Sequence, residues 1–162
     1  MKKVLEMPGH SRIWIYQSDR ILTPAEKAKL EMISNNFVEE WTSHGASMNA
    51  AIELFHDRIL IVAADEEKAL ASGCGIDKSV GFVKKAGQEL GVDFFKRTLI
   101  LYRDDRGEIA EKELHQFWAM KKAGLIHDDT VVFDNTIKNV DGLKSHWEIP
   151  FSASWHAEMW LR

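Results

Sequence analysis

Ala50-Ala51-Ile52-Glu53-Leu54-Phe55-His56 followed, after Asp57, by Arg58-Ile59-Leu60-Ile61-Val62-Ala63-Ala64 decides how this chain is read. Two apolar runs of strand length meet at a short polar break, and the second is unbroken in a way that suits the middle of a sheet. They predict a hairpin. Working towards the N-terminus, Thr23-Pro24-Ala25-Glu26 forms a capping box with proline at the first helical position. Leu30, Ile33, Phe37, Val38 and Trp41 recur behind it at helical spacing, and Gly45 is expected to end that helix in the left-handed conformation. Further back, Arg12 to Ser18 sets Ile13 and Ile15 against Trp14 and Tyr16, the alternation of a strand. Towards the C-terminus, Asp77 is expected to cap a second helix with Val80, Val83, Ala86, Gly87 and Leu90 facing inward and Gly91 at its end. Thr98 to Tyr102 follows as a strand.

The order β-α-β-β-α-β over residues 12 to 102 matches the split βαβ, or ferredoxin-like, plan within the α+β class. An α-β extension then follows: a turn at Asp104 to Gly107, a helix over Lys112 to Ala123 carrying Leu114, Phe117 and Trp118, and a strand at Thr130 to Phe133. An aromatic C-terminal tail completes the chain. Residues 1–162 are expected to form a single α+β domain, because 162 residues suit one core and no proline-, glycine- or serine-rich linker interrupts them.

Composition narrows the function classes. Hydrophobic residues at 45% and charged residues at 28% fit a folded globular chain. The 21 Lys and Arg against 25 Asp and Glu give a net charge of −4, which disfavours nucleic acid as a partner. Cys74 is the single cysteine, so no internal disulfide framework exists. The longest apolar stretch, Ile59 to Ala64, is far too short to span a membrane. With no signal-like run behind Lys2 and Lys3, a cytoplasmic location is expected.

The most function-like stretch is Ser72-Gly73-Cys74-Gly75-Ile76-Asp77-Lys78-Ser79. A glycine-flanked thiol just before a helix start lies where free N–H groups favour an anion or a thiolate. Ser72, Gly73, Gly75, Asp77, Lys78 and Ser79 are therefore the candidate ligand-binding residues, for a small anionic ligand or a peptide. Cys74 is the candidate nucleophile of a rival reading, a thiol-dependent enzyme, with His44 as its partner should the fold bring the two together. Free cysteine is among the most buried residue types, so burial in a tight turn is the expectation for Cys74. Comparison with the phosphate-binding loop G-x-x-x-x-G-K-[ST] fails on counting back from Lys78, since its glycines would fall at Ser72 and Asp77. That argues against ATP hydrolysis.

The segments His10 to Tyr16, Trp41-Thr42-Ser43-His44-Gly45, Ser72 to Val80 and Ser154-Trp155-His156 resemble a family of small bacterial proteins without known function, some of them labelled "ABC transporter ATPase". The resemblance covers nearly the whole chain and implies a family rather than an activity. Residues 113 to 133, with Leu114, Gly124, Ile126, Asp129, Thr130 and Val132, are also similar to the helix, turn and strand of some bacterial GYF-like modules. That similarity implies peptide binding.

The remaining candidates read more simply as structure. None of His10, His44, His56, His115, His127, His146 and His156 stands at a metal-binding spacing, so no metal and no cofactor is expected. Glu53, Asp57, Asp65, Glu66 and Glu67 lie on or beside the hairpin and suggest a metal-dependent nuclease only loosely. Trp147, Phe151, Trp155 and Trp160 crowd the tail and are expected to seal a core or a homodimer. The sequence thus favours a cytosolic binding or interaction domain.

Overall fold

The computed structural model describes residues 2–43, 45–67 and 69–162. After a short 3-10 turn at Val4–Glu6 come β1 (Arg12–Gln17), α1 (Pro24–Glu40), β2 (Thr42–Ser43), β3 (Ala46–Ser47), β4 (Asn49–Phe55), β5 (Ile59–Asp65) and α2 (Gly73–Leu90). They are followed by β6 (Leu99–Arg103), β7 (Ile109–Glu113), α3 (Leu114–Lys122), β8 (Val131–Phe133), α4 (Val140–His146), β9 (Glu148–Pro150) and α5 (Trp155–Trp160). The class is α+β with antiparallel sheets. The chain packs as two compact units, one of residues up to Lys96 with Lys138–Lys144, the other of Arg97–Ile137 with Ser145–Arg162.

In the first unit the sheet order is β1-β5-β4, and β5 is antiparallel to both neighbours, from Arg12↔Ala64 and from Asn49↔Asp65. Every residue of β5 is buried, as its unbroken apolar run requires of a central strand covered on both faces. Alternation sends Leu60, Val62 and Ala64 into a core shared with Leu30, Val83, Ala86 and Leu90 of the two helices. The hairpin turns at His56 and Asp57, both left-handed with φ of 51° and 59°. Successive positive φ values match the twist of a tight hairpin, and Lys27 Nζ holds the Asp57 carboxylate at 2.8 Å.

Helix α1 starts as its capping box dictates, with Thr23 Oγ1 accepting from the Glu26 N–H and the Glu26 carboxylate accepting from the Thr23 N–H. It ends at Glu40 instead of Gly45. Trp41 turns into the core, and Gly45, at φ 81°, belongs to the β2–β3 hairpin. Helix α2 ends at Gly91 as expected, left-handed at φ 66°.

The expected fourth strand of this sheet lies elsewhere. β6 pairs with β7, Leu99↔Glu113 through Arg103↔Ile109, across the Asp104–Gly107 turn, and belongs to the second sheet, ordered β7-β6-β8-β9. A partner five residues away closes a loop at far lower entropic cost than β1, eighty residues back. Asp104 Oδ1 accepts from the N–H groups of Arg106 and Glu108 and fixes that turn. Among the described residues the outer edge of β1 receives only isolated bridges, Gln17↔Phe95 and Arg12↔Asn139. The predicted helix over Lys112 to Ala123 shortens to α3 because its first residues complete β7. Ile100, Tyr102, Phe117, Ile126, Val132 and Phe151 form the core of the second unit. Among the described residues no helix is long and apolar enough to cross a membrane.

Candidate functional site

Ser72, not Asp77, caps α2: its Oγ accepts from the Gly75 N–H at 3.1 Å, and its carbonyl takes the Ile76 N–H at 2.8 Å. The glycine-flanked segment is therefore the first two turns of the helix rather than a loop before it. The cap satisfies one of the free donors of the first turn and leaves the N–H groups of Gly73 and Cys74 at the positive end of the helix dipole. Cys74 is exposed, against the expected burial, because the first helical turn puts it on the face opposite the buried Gly75 and Ser79. Lys78, one turn beyond Cys74, and Asp77 are exposed beside it. Ser79 is fully buried and donates to the Ile76 carbonyl at 2.7 Å, which removes its hydroxyl from ligand contact.

The helix start is tied to the segment after α1. Trp41 Nε1 donates to the Gly75 carbonyl at 3.0 Å, and Lys78 Nζ approaches the Thr42 carbonyl at 3.5 Å. The β2–β3 hairpin consequently stands beside Ser72–Ser79. His44 lies outside the described residues.

From Lys78 a groove of about 520 Å³ runs between α1 and α2. Phe37 and Phe82 stack in its wall with ring centroids 4.6 Å apart, and Trp41 meets Phe37 at 5.4 Å. Lys78 and Lys85 contribute from α2, Asn36 and Glu40 from α1. Spacing alone places Phe37 and Trp41 on one helical face without telling core from groove, since a face half-buried against a neighbouring helix and half-open to solvent has the same periodicity; Phe82 stands outside the inward-facing set expected for the second helix.

The acidic residues mostly serve structure. Glu53 accepts from the Val4 N–H at 3.0 Å and pairs with Lys3 at 3.6 Å. Asp65 accepts from the Glu67 N–H at 3.0 Å, from His10 Nε2 at 2.9 Å and from Asn49 Nδ2 at 3.2 Å, and these bonds, the backbone one foremost, hold its carboxyl below the usual range. The side-chain ligand atoms of His10, Asp65 and Glu67 all lie within 4.8 Å of one another. His10 and Asp65 meet only through the turn before β1, so no sequence spacing announces them.

His156, one of the histidines read as structural, is 1% exposed in the second unit, its ring stacked on Trp155 at 3.8 Å. Burial pushes its imidazole down to about 4. Of the tail aromatics Trp147 and Phe151 are buried, while Trp160 is exposed.

Compared with protein-family models, with curated proteins and with solved structures, the chain matches none.

Proposed function

We propose that this chain is a cytosolic ligand-binding domain whose first unit receives an anionic group at the start of α2, on the N–H groups of Gly73 and Cys74 with Lys78 at its side. The observation that carries the reading is the Trp41–Gly75 hydrogen bond at 3.0 Å, which fixes the helix start against the preceding hairpin and presents its donors preorganised. Asp77 opposes an anion and limits the site to one charge of modest density. The fold reading behind this proposal is a split βαβ unit, β1 and β4 parallel on either side of β5, without a full fourth strand. The resemblance to small bacterial proteins labelled as transporter ATPases enters as family likeness; the phosphate loop that its label requires is replaced by a serine-capped helix. Peptide binding by the second unit, suggested by residues 113 to 133, is a separate part of the proposal.

Thermal-shift titration with inorganic phosphate, nucleotides and acidic peptides tests the reading. A ligand at a hundredfold its dissociation constant stabilises by about 2.7 kcal/mol, a shift that Lys78→Ala should reduce. A melting temperature unmoved by every anion would reject it.

One observation favours a second reading, catalysis by Cys74. Its thiol is exposed in the first turn of an 18-residue helix, beside Lys78 one turn on and open to a substrate. Alkylation by iodoacetamide separates the two: a rate that plateaus from neutral pH supports a reactive thiolate, and a rate rising through the ordinary thiol range supports a bystander.

A further inference from the structure

Gly81 and Gly87 stand six residues apart on α2, and only one of them is explained by the chain's own packing. A Cβ at Gly87 would stand 2.7 Å from the Val92 carbonyl oxygen, so the close return of the chain excludes any side chain. A Cβ at Gly81 would meet nothing within 4 Å. Mid-helix glycine is the poorest helix former after proline, so a helix that keeps one without a packing reason leaves that space open.

The space belongs to the α1–α2 groove. Its volume of about 520 Å³ lies within the range of small-molecule sites, roughly 300 to 1,000 Å³. Its wall is the Phe37–Phe82 stack. No large exposed hydrophobic residue lines it among the described residues; Ile21, Met32 and Leu70 lie elsewhere, so the rim lacks the apolar surround of a protein interface.

Charge selects the ligand. The helices run antiparallel, with Trp41 level with Gly75, Phe37 with Phe82 and Lys29 with Glu89. On that ladder Glu40 falls level with Lys78 at one end of the groove, where Lys78 Nζ also approaches the Thr42 carbonyl, and Lys29 Nζ takes Glu89 at 3.8 Å. Lys85 falls level with Ile33, one turn along α2 from Gly81 and Phe82, and has no ion-pair partner among the described residues. The groove thus holds, beside its aromatic wall, a cation without an ion-pair partner among the described residues, with the Asn36 amide also in its lining.

We propose that this groove binds a small amphipathic anion, an apolar molecule with one carboxylate or sulfonate headgroup. The apolar body lies over Gly81 against Phe37 and Phe82, and the headgroup sits at Lys85. This goes beyond the helix-start reading: the two sites share only Lys78, and the failure of one leaves the other standing.

The test uses the full chain and the fluorescence of anilinonaphthalene sulfonate, with decanoate as competitor and uncharged phenylnaphthylamine as control. The expected result is saturable one-to-one binding displaced by decanoate, retained in Gly81→Ala and abolished in Gly81→Leu, whose added side chain fills the groove. Lys85→Glu should weaken the sulfonate about tenfold or more while leaving the neutral control unchanged. Near-ultraviolet circular dichroism of each variant verifies native packing, and unaltered phosphate-induced shifts of the Gly73 and Cys74 amides in Gly81→Leu keep the two sites distinguishable. Absence of saturable binding, equal binding by Gly81→Leu, or equal loss of both probes in Lys85→Glu would overturn the proposal. So would a concentration-dependent dimer that Gly81→Leu disperses, since a second copy would then be the occupant.

Discussion

Trp41 Nε1 and the Gly75 carbonyl oxygen meet at 3.0 Å, joining the residue that follows α1 to the first turn of α2. The indole is 2% exposed, so this bond forms out of water and links the core of the first unit to the start of its candidate site. Trp41→Phe keeps most of the ring and removes the donor. We expect a loss of about 1 to 2 kcal/mol by urea denaturation, one hydrogen bond plus a small void. The same variant should bind anions at Gly73 and Cys74 more weakly; an unchanged stability would show that the bond contributes nothing to the fold.

The two helix glycines predict opposite signs. Gly81→Ala should stabilise by about 0.5 to 1 kcal/mol, the gain in helix propensity at a site where the new methyl meets nothing within 4 Å. Gly87→Ala should destabilise, because its methyl would approach the Val92 carbonyl oxygen to 2.7 Å and one of the two backbones must move. Paired thermal melts read the difference, and equal effects would contradict the packing described for α2.

Acid stability should carry the mark of His156. Burial holds its imidazole at about 4, below its ordinary 6.5, so the folded protein keeps it neutral while the unfolded chain protonates first. The unfolded state then binds the extra proton, and the stability it contributes is complete above pH 6.5 and lost as pH falls towards 4. The loss is about 3 kcal/mol by linkage. Glu26, drawn down to about 2 chiefly by the Arg20 guanidinium, and the lowered Asp65 begin to lose their contributions only as pH falls into the ordinary carboxylate range, so the upper part of the window belongs to His156. His156→Gln should flatten stability between pH 6.5 and 5; an undiminished slope would assign it to another group.

Removing residues 151 to 162 takes away Phe151 and His156, 2% and 1% exposed, from the core of the second unit. Loss of a buried aromatic costs about 3 to 5 kcal/mol, so the truncated chain should melt earlier and bind a hydrophobic dye. Light scattering across a concentration series of the intact chain tests the expectation of a homodimer.

Much of the first unit is legible because its signals are local. Thr23 and Glu26 cap α1 within one turn, the apolar run of β5 is contiguous, and Gly91 stops α2 by its own conformation. Ser72 and Asp77 are both competent caps, and the glycines between them disguised two helical turns as a loop. The choice fell to Ser72 because its hydroxyl reaches the Gly75 N–H. The partner of β6 was invisible for another reason: alternation tells which residues form a strand, never which neighbour they take. No composition change marks the passage from Lys96 to Arg97, where the first unit gives way to the second. The groove beside Gly81 and the meeting of His10 with Asp65 depend on residues 45 and 55 positions apart, for Phe37 and Phe82 in the one case and the ion pair in the other, and only the folded chain assembles them.

Amide NMR during titration with inorganic phosphate tests the central claim most directly. Binding at the start of α2 predicts that the Gly73 and Cys74 N–H signals move first and farthest, with a saturable dependence that Lys78→Ala weakens. Signals of Gly73 and Cys74 that stay in place while phosphate perturbs lysines across the surface, or that move equally in Lys78→Ala, would contradict it.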